Sequence, residues 1–139
     1  LCGHRGRLEQ GRVADGFMER GALNLHVGIA PEYRGSAPNM WAQYNGRPDL
    51  IGAQVQRLSK GLDSGDILAE VRAPEGGDYF TRSMQAVQLG IKALVYLLGA
   101  YPNLATLMPV RPNDRAQELS YTRHDAFTEK IAQAILERA

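Results

Sequence analysis

The sequence predicts an α/β fold, because segments with the two-residue period of a strand alternate with segments that have helical periodicity. The strand-like segments are 22–27, 51–58 and 67–71, and the helix-like segments are 9–20, 39–45, 78–98 and 125–138. A chain of 139 residues with 44% hydrophobic content is long and apolar enough for one domain with a core. We therefore expect helices that cover a central sheet.

The longest helix-like segment, 78–98, is predicted to be a core helix that packs on the sheet. Asp78 precedes it as an N-cap residue, and Gly99 ends it. Its apolar stripe consists of Met84, Val87, Ile91, Leu94, Val95 and Leu98. Asp125 is predicted to cap the C-terminal helix, whose apolar stripe consists of Phe127, Ile131, Ala134 and Ile135.

Each of the two shorter predicted helices is followed by a glycine. Segment 9–20 is followed by Gly21, and segment 39–45 is followed by Gly46. Trp41, on the apolar side of the second helix, is expected to pack in the core rather than to stack on a ligand.

The connections between strands predict part of the sheet topology. A short, Gly-rich polar loop, 59–66, joins segments 51–58 and 67–71. Strands joined this closely pair antiparallel, because a parallel pair needs a long crossover. Segments 28–38 and 101–124 contain several prolines and little periodicity, which predicts irregular structure.

Composition narrows the functional classes. Sixteen Lys and Arg residues against fifteen Asp and Glu residues give a net charge of +1, which offers no overall attraction to nucleic acid. The single cysteine, Cys2, excludes an internal disulfide and a cysteine-based zinc site, and no metal ligand set is recognised. No secretory signal is visible and the longest apolar run is short, so we expect a cytoplasmic protein without a membrane partner.

Two polar residues stand out in the first strand-like segment. Asn24 and His26 lie two positions apart, so that both side chains face the same side of a strand, opposite Leu23 and Leu25. Polar groups on an otherwise apolar strand are costly unless they have a partner or a function. Taken alone, either residue is better explained as a hydrogen-bonded core residue than as a functional one.

Three segments together carry a family resemblance. They are Asn24-x-His26, Tyr33-Arg34-Gly35-Ser36-Ala37-Pro38, and Gly61-Leu62-Asp63-Ser64-Gly65. In order, residue type and spacing they resemble the folate-dependent formyltransferase family, which includes methionyl-tRNA, glycinamide ribonucleotide and sugar-amine N-formyltransferases. The resemblance covers about residues 1–75 well and the remainder loosely.

The resemblance implies a formyltransferase-like fold with a Rossmann-type, mostly parallel sheet and an antiparallel part from Ile51 to Val71. It implies that residues 1–100 form the C-terminal portion of a catalytic domain whose Rossmann-like N-terminal half is not in this sequence. Residues 101–139 are then an irregular connection and a C-terminal helix packed on the same domain. An unpaired sheet edge predicts association, either between copies as a homo-oligomer or with a completing segment.

The resemblance also implies which residues carry the chemistry. Asn24, His26 and Asp63 match the catalytic residues of the family. Acyl transfer needs a donor for the developing oxyanion and a base for the attacking amine, and these residue types supply both. Gly61 and Gly65 flank Asp63 and allow a sharp turn. Without the resemblance, Asp63 would be an ordinary loop aspartate.

The implied ligand contacts come from two loops. The folate-binding residues are Arg5, Gly6, Arg7, Leu8, Lys60, Gly61 and Leu62. Arg34 and Gly35 match the loop after the catalytic strand, where Arg34 either holds an anionic substrate group or is a solvated surface residue. The polar segment that begins at Arg5 departs from the apolar pattern usual in the family.

The expected activity is formyl transfer from 10-formyltetrahydrofolate to an amine. The net charge ranks a small amine, such as an amino sugar nucleotide, ahead of methionyl-tRNA. The alternatives are a catalytically inactive binding or assembly module and a formyltetrahydrofolate hydrolase in which water replaces the amine. The partners are thus folate and an amine, with nucleic acid excluded unless the substrate is tRNA.

Overall fold

The computed structural model describes residues 12–137 and confirms the α/β class. The strands are β1 (Leu23–His26), β2 (Tyr33–Gly35), β3 (Gly52–Arg57), β4 (Ile67–Arg72) and β5 (Ser120–Thr122). The helices are α1 (Arg12–Glu19), α2 (Pro38–Tyr44), α3 (Tyr79–Ala100) and α4 (Glu129–Leu136). Short 3-10 turns occupy Pro48–Leu50, Leu104–Thr106, Arg115–Gln117 and His124–Ala126.

The main sheet is antiparallel throughout the described residues. Its strand order is β1-β3-β4, and both neighbouring pairs are antiparallel. The antiparallel β3–β4 pair confirms the prediction for Ile51 to Val71, whereas the predicted mostly parallel arrangement is wrong for these three strands. The reason is that only β2, α2 and a 3-10 turn lie between β1 and β3, and α2 packs on β2, that turn and α4. No helix crosses the sheet there, as a parallel pair requires.

Strands β2 and β5 form a separate two-stranded parallel sheet. Tyr33 pairs with Ser120, and Gly35 pairs with Thr122. Both strands lie in segments predicted to be irregular, because three residues are too few to show a strand period. Their pairing brings the chain beyond Ser120 next to the loop that follows β1.

One face of the main sheet packs on α3 through small residues. Ala86 and Gly90 are buried, and a Cβ atom on Gly90 would lie 2.8 Å from the Cβ of Ala53. Close approach of the helix axis leaves the larger residues of the predicted stripe at the flanks, where Met84 is 57% exposed and Val95 is 63% exposed. The expectation that this stripe is buried as a whole is therefore wrong, although α3 does pack on the sheet.

By length and composition, α3 is the one helix among residues 12–137 that could cross a membrane. Its most apolar window has a mean hydropathy of 1.2. The core helix of a soluble protein meets the same criteria. The expected absence of a membrane partner stays a prediction.

Some of the predicted helix caps are found in the structure. Asp78 accepts a hydrogen bond from the Thr81 amide at 3.0 Å, which confirms it as the N-cap of α3. Gly21, with φ of 73°, ends α1 with a Schellman motif in which the amide of Ala22 bonds to the carbonyl of Phe17. The predicted cap at Asp125 is wrong, because α4 begins three residues after a 3-10 turn that contains Asp125.

A hydrophobic cluster joins α2 and α4. Trp41 makes edge-to-face contacts with Tyr44 and Phe127, at ring-centroid distances of 5.7 and 6.4 Å. Ile131 and Ile135 pack against the same cluster. The prediction that Trp41 is a packing residue is confirmed, and the C-terminal helix buries its apolar stripe here.

Candidate functional site

The turn between β3 and β4 brings Asp63 to the Asn-x-His strand. We call residues 59–65 the Asp63 loop. The carboxylate of Asp63 lies 3.2 Å from Nδ1 of His26 through Oδ1, and its Oδ2 accepts a hydrogen bond from the Gly35 amide at 3.0 Å. The side chains of His26 and Asp63 are 5% and 9% exposed. Asp63 is thus held between His26 of β1 and Gly35 of β2.

Both ring nitrogens of His26 face acceptors. Nδ1 faces the Asp63 carboxylate, and Nε2 lies 3.2 Å from the carbonyl oxygen of Tyr33. A carbonyl oxygen and a carboxylate can only accept, so both contacts are satisfied when the ring carries two protons and donates to both. The geometry therefore favours an imidazolium that is paired with the Asp63 carboxylate.

The environment of Asp63 keeps its carboxylate ionised. Burial acts to raise the pKa of Asp63, but the hydrogen bond and charge of His26 oppose it, as do the Gly35 amide and the charge of Arg34. The net result is a pKa of Asp63 below its ordinary value. At neutral pH Asp63 is therefore in the carboxylate form, the form that can accept a hydrogen bond or a proton.

A cavity of about 220 Å³ lies beside Asp63. It is lined by Asn24 from β1, by Gln56 and Arg57 from β3, and by Leu58, Ser59, Gly61, Leu62, Asp63, Ser64 and Gly65. Asn24 and Asp63 thus open onto the same space. His26 is absent from the lining and lies behind Asp63, so its contact with the cavity runs through that carboxylate.

Arg34 lies behind the Asp63 loop rather than in the cavity. Its side chain is fully buried, its NH2 group donates to the carbonyl of Leu62 at 2.7 Å, and NH1 lies 3.5 Å from Glu118. The position corrects the alternative of a solvated surface arginine, and Arg34 is not among the residues that line the cavity. Gly35, with φ of 91°, contacts the site through its amide.

The predicted folate-binding residues divide into three groups. Gly61 and Leu62 line the cavity. Lys60 is 80% exposed and pairs with Asp15 at 3.2 Å, outside the cavity lining. The segment from Arg5 to Leu8 lies outside the described residues. Within residues 12–137 there is no cluster of three or more His, Cys, Asp or Glu side chains that could hold a metal ion.

The sequence did not reveal the polar neighbours of Asn24 and His26 on β3. Gln56 pairs with Asn24 across the sheet and Gln54 pairs with His26, and both glutamines are 1% exposed. Gln56 donates to Gln54, which binds Ala30 through its carbonyl and its amide. The signal was the Ala53-Gln54-Val55-Gln56 alternation, which has the same period that singled out Asn24 and His26.

A charged cluster continues this face on β4. Glu70 accepts from Gln54 at 2.8 Å and from Arg111 at 2.6 Å, and Arg111 also bonds to Glu32. Burial acts to raise the pKa of Glu70, but these hydrogen bonds and the Arg111 charge lower it overall. Arg111 lies in the long segment after α3, where nothing in the local sequence pattern identified it.

The sequence and the fold are both similar to those of known formyltransferases. A family model described as formyl transferase matches residues 15–79, which include β1 and the Asp63 loop. The methionyl-tRNA formyltransferase of Deinococcus radiodurans is 31% identical over 123 residues, covering 85% of this chain and 38% of that protein. The methionyl-tRNA formyltransferase of Caldicellulosiruptor saccharolyticus is 32% identical over 93 residues, covering 66% of this chain and 29% of that protein. The chain thus spans about a third of the length of these curated relatives.

Solved structures share the fold at lower sequence identity. A sugar N-formyltransferase from a Shewanella species superposes with a TM-score of 0.66 and 14% identity, covering 94% of this chain and 65% of that one. The formyltransferase PseJ from Anoxybacillus kamchatkensis was solved with tetrahydrofolate and a UDP-linked formamido sugar. It superposes with a TM-score of 0.60 and 22% identity, covering 82% of this chain and 58% of that one. At these identities the likeness shows the fold alone. Together, the family model, the curated relatives and the shared fold support membership of this chain in the formyltransferase family.

Proposed function

We propose that this chain carries out the transfer of a formyl group from 10-formyltetrahydrofolate to an amine. The observation that carries the proposal is the pairing of Asp63 with His26 at 3.2 Å, with Asp63 and Asn24 lining one cavity. These residues come from β1 and from the loop between β3 and β4, so the fold has to bring them together. Family membership supports the same chemistry.

The residues around the cavity fit the reactive part of a folate. Leu58 and Leu62 offer apolar surface, while Asn24 and Asp63 offer polar groups. About 220 Å³ is below the ~300–1,000 Å³ of whole-ligand pockets, so this cavity would hold one part of the molecule. Asn24, Gly61 and Leu62 would contact that part, and 10-formyltetrahydrofolate supplies the formyl group when bound.

Each of the three residues has a distinct task in this proposal. The side-chain amide of Asn24 donates to an oxygen on which negative charge develops in the cavity. Asp63, kept ionised, would accept the proton that an attacking amine releases, directly or through water, and that proton would return to the nitrogen of the departing tetrahydrofolate. His26 lies between the Asp63 carboxylate and the Tyr33 carbonyl and holds Asp63 in place.

Two classes of amine acceptor follow from different observations. The net charge of +1 favours a small amine such as an amino sugar nucleotide. The curated relatives at 31–32% identity are methionyl-tRNA formyltransferases, which favours the amino group of methionyl-tRNA. Because sequence similarity at this level is the more specific of the two, methionyl-tRNA is the first acceptor to test and an amino sugar nucleotide the second.

The proposal is tested by formyl transfer from 10-formyltetrahydrofolate to each acceptor, with the wild type, Asp63→Asn and Asp125→Asn. Asp125 is an exposed aspartate remote in sequence from the loop and serves as the matched control. We expect Asp63→Asn to lower the rate by about 10²–10⁴-fold, the usual contribution of a general base, and Asp125→Asn to leave it unchanged.

Two results would replace the proposal with one of its alternatives. Formate release at the same rate with and without any amine would indicate a hydrolase. Folate binding with no turnover of either acceptor, and no effect of Asp63→Asn, would indicate an inactive binding module.

A further inference from the structure

Asn113 reaches the Asp63 loop from a distant part of the chain. Its side-chain Nδ2 donates to the carbonyl oxygens of Asp63 and Gly65, at 3.0 and 2.8 Å. One amide nitrogen thus holds the backbone on both sides of Ser64. Asn113 follows α3 and lies outside residues 15–79, the part that the family model matches.

The segment that carries Asn113 is anchored independently of the Asp63 loop. The amide of Val110 donates to the carbonyl of Ile67 at 2.8 Å, and Arg111 forms a bridge with the same β4 residue. The guanidinium of Arg111 bonds to Glu70 and Glu32. Asn113 is therefore presented to the loop from a fixed support rather than by the loop itself.

The backbone of Asp63 needs such support. Its φ of 47° lies in the left-handed region, which costs a non-glycine residue of order 1 kcal/mol and persists where surrounding contacts hold it. Arg34 donates to the carbonyl of Leu62, and Asn113 donates to the carbonyls of Asp63 and Gly65. The two side chains together hold three carbonyl groups of the loop, two of them on the residues before and after Ser64.

Asn113 contacts the Asp63 loop only through hydrogen bonds donated by its side-chain Nδ2. Its Oδ1 atom is buried and has no hydrogen-bond partner among the residues that the structure describes. A buried acceptor without a partner is destabilising, so packing does not explain an amide at this position. The two carbonyl oxygens require a donor, which the amide supplies.

From this geometry we propose that Asn113 is a positioning residue that holds Asp63 in its left-handed conformation against His26 and Gly35. Its meaning for catalysis rests on the proposed formyl transfer. Without the Asn113 amide, the loop relaxes and both contacts of the Asp63 carboxylate weaken. Asn113 itself touches no reacting group.

The test compares Asn113→Ala and Asn113→Leu with Asn39→Ala in the 139-residue chain. Leucine keeps the volume of Asn113 and removes its donor. Asn39 is a matched control, because its side chain also makes two hydrogen bonds to backbone, and both are with Gly52 rather than with the Asp63 loop. All three variants lose stability, so stability does not discriminate.

The discriminating measurement is the titration of the Asp63 side-chain carboxyl carbon by ¹³C NMR. We expect both Asn113 variants to raise the pKa of Asp63, since its contacts with His26 and Gly35 hold that pKa low. Asn39→Ala should titrate as the wild type does. An unchanged Asp63 titration in a folded Asn113→Leu variant would overturn the proposal.

A second measurement separates this proposal from the proposed function. If formyl transfer is observed, Asn113→Leu should lower kcat by about tenfold, as expected when a reacting group is displaced, while KM for the folate changes less. An unchanged kcat in that variant would overturn the positioning role. A raised pKa of Asp63 in a chain whose wild type transfers no formyl group would support the positioning role and count against the proposed function alone.

Discussion

The two faces of the β1-β3-β4 sheet are built from the same alternating strands but stabilised in different ways. On one face, Asn24, His26, Gln54 and Gln56 are joined by hydrogen bonds or line the cavity. On the other face, side chains such as Leu25 and Val55 pack against α3. The same two-residue period therefore produces a polar face with a cavity and an apolar face with a core. What packs against each face determines its role.

The two faces also differ in what they tolerate. The apolar face depends on volume, because Gly90 lets α3 approach the sheet. The polar face depends on completed hydrogen bonds, because a buried polar group without a partner costs about 1–3 kcal/mol. Substitutions on the polar face should therefore change activity, and those on the apolar face should change stability.

The largest difference between effects on activity and on stability is expected for two neighbouring residues of β1, Asn24 and Leu25. Asn24→Leu should lower the rate of formyl transfer by about 10²–10³-fold, as loss of an oxyanion donor does. Its free energy of unfolding should change by less than about 1 kcal/mol, because Asn24 borders a cavity. The measurements are a formyl transfer assay and urea unfolding of the same preparation.

Leu25→Ala is the control on the opposite face. It should lower the free energy of unfolding by about 2 kcal/mol, since Leu25 packs against Gly90 and the cluster of Val55, Leu68 and Leu97. Its kcat should stay within about twofold of the wild type below the unfolding transition. Equal losses of activity in both variants would contradict the separation of the faces.

A smaller effect is expected within α3, from two glycines on opposite sides of the helix. Gly90→Ala adds a Cβ 2.8 Å from Ala53, so it should destabilise the chain by about 1–2 kcal/mol despite the better helix propensity of alanine. Gly99→Ala meets nothing within 4 Å and should stabilise by up to about 1 kcal/mol. Thermal unfolding of the two variants checks whether their changes in stability have opposite signs. A gain in stability for Gly90→Ala would mean that α3 lies farther from β3.

The smallest effect is expected in the pH dependence of stability. Because the pKa of Asp63 is lowered in the folded chain, its contribution is fully present above the ordinary value near ~4 and is lost as pH falls through the lowered pKa. The difference in unfolding free energy between wild type and Asp63→Asn should thus shrink below about pH 4. Asparagine also tolerates the left-handed backbone of Asp63. Urea unfolding at a series of pH values checks this, and a constant difference would mean that Asp63 is not ionised against His26.

Local sequence patterns predicted the main elements and part of the site. The period of β1 placed Asn24 and His26 on one face, and the short turn after β3 predicted its antiparallel pairing with β4. The caps at Gly21 and Asp78 follow from nearby residues, which is why they could be predicted. The proximity of Asp63 to His26 was implied by family resemblance, since residues 37 positions apart share no local pattern.

The sequence did not reveal features that depend on long-range contacts. Strands β2 and β5 are three residues each and are stabilised by each other. The segment with Arg111 and Asn113 has no period, and its role arises from hydrogen bonds to β4 and the Asp63 loop. The exposure of Met84 and Val95 follows from the close approach of α3 at Gly90, which periodicity alone does not predict.

The central claim is that the polar face, and not the α3 face, binds a formylated folate. The most direct measurement is a two-dimensional NMR titration of the ¹⁵N-labelled chain with 5-formyltetrahydrofolate, a stable analogue of the donor. We expect saturable shifts of the Asn24 side-chain amide and of the Leu62 and Asp63 backbone amides, with exposed α3 residues such as Val95 unmoved. Shifts confined to α3, or none at millimolar ligand, would contradict the account.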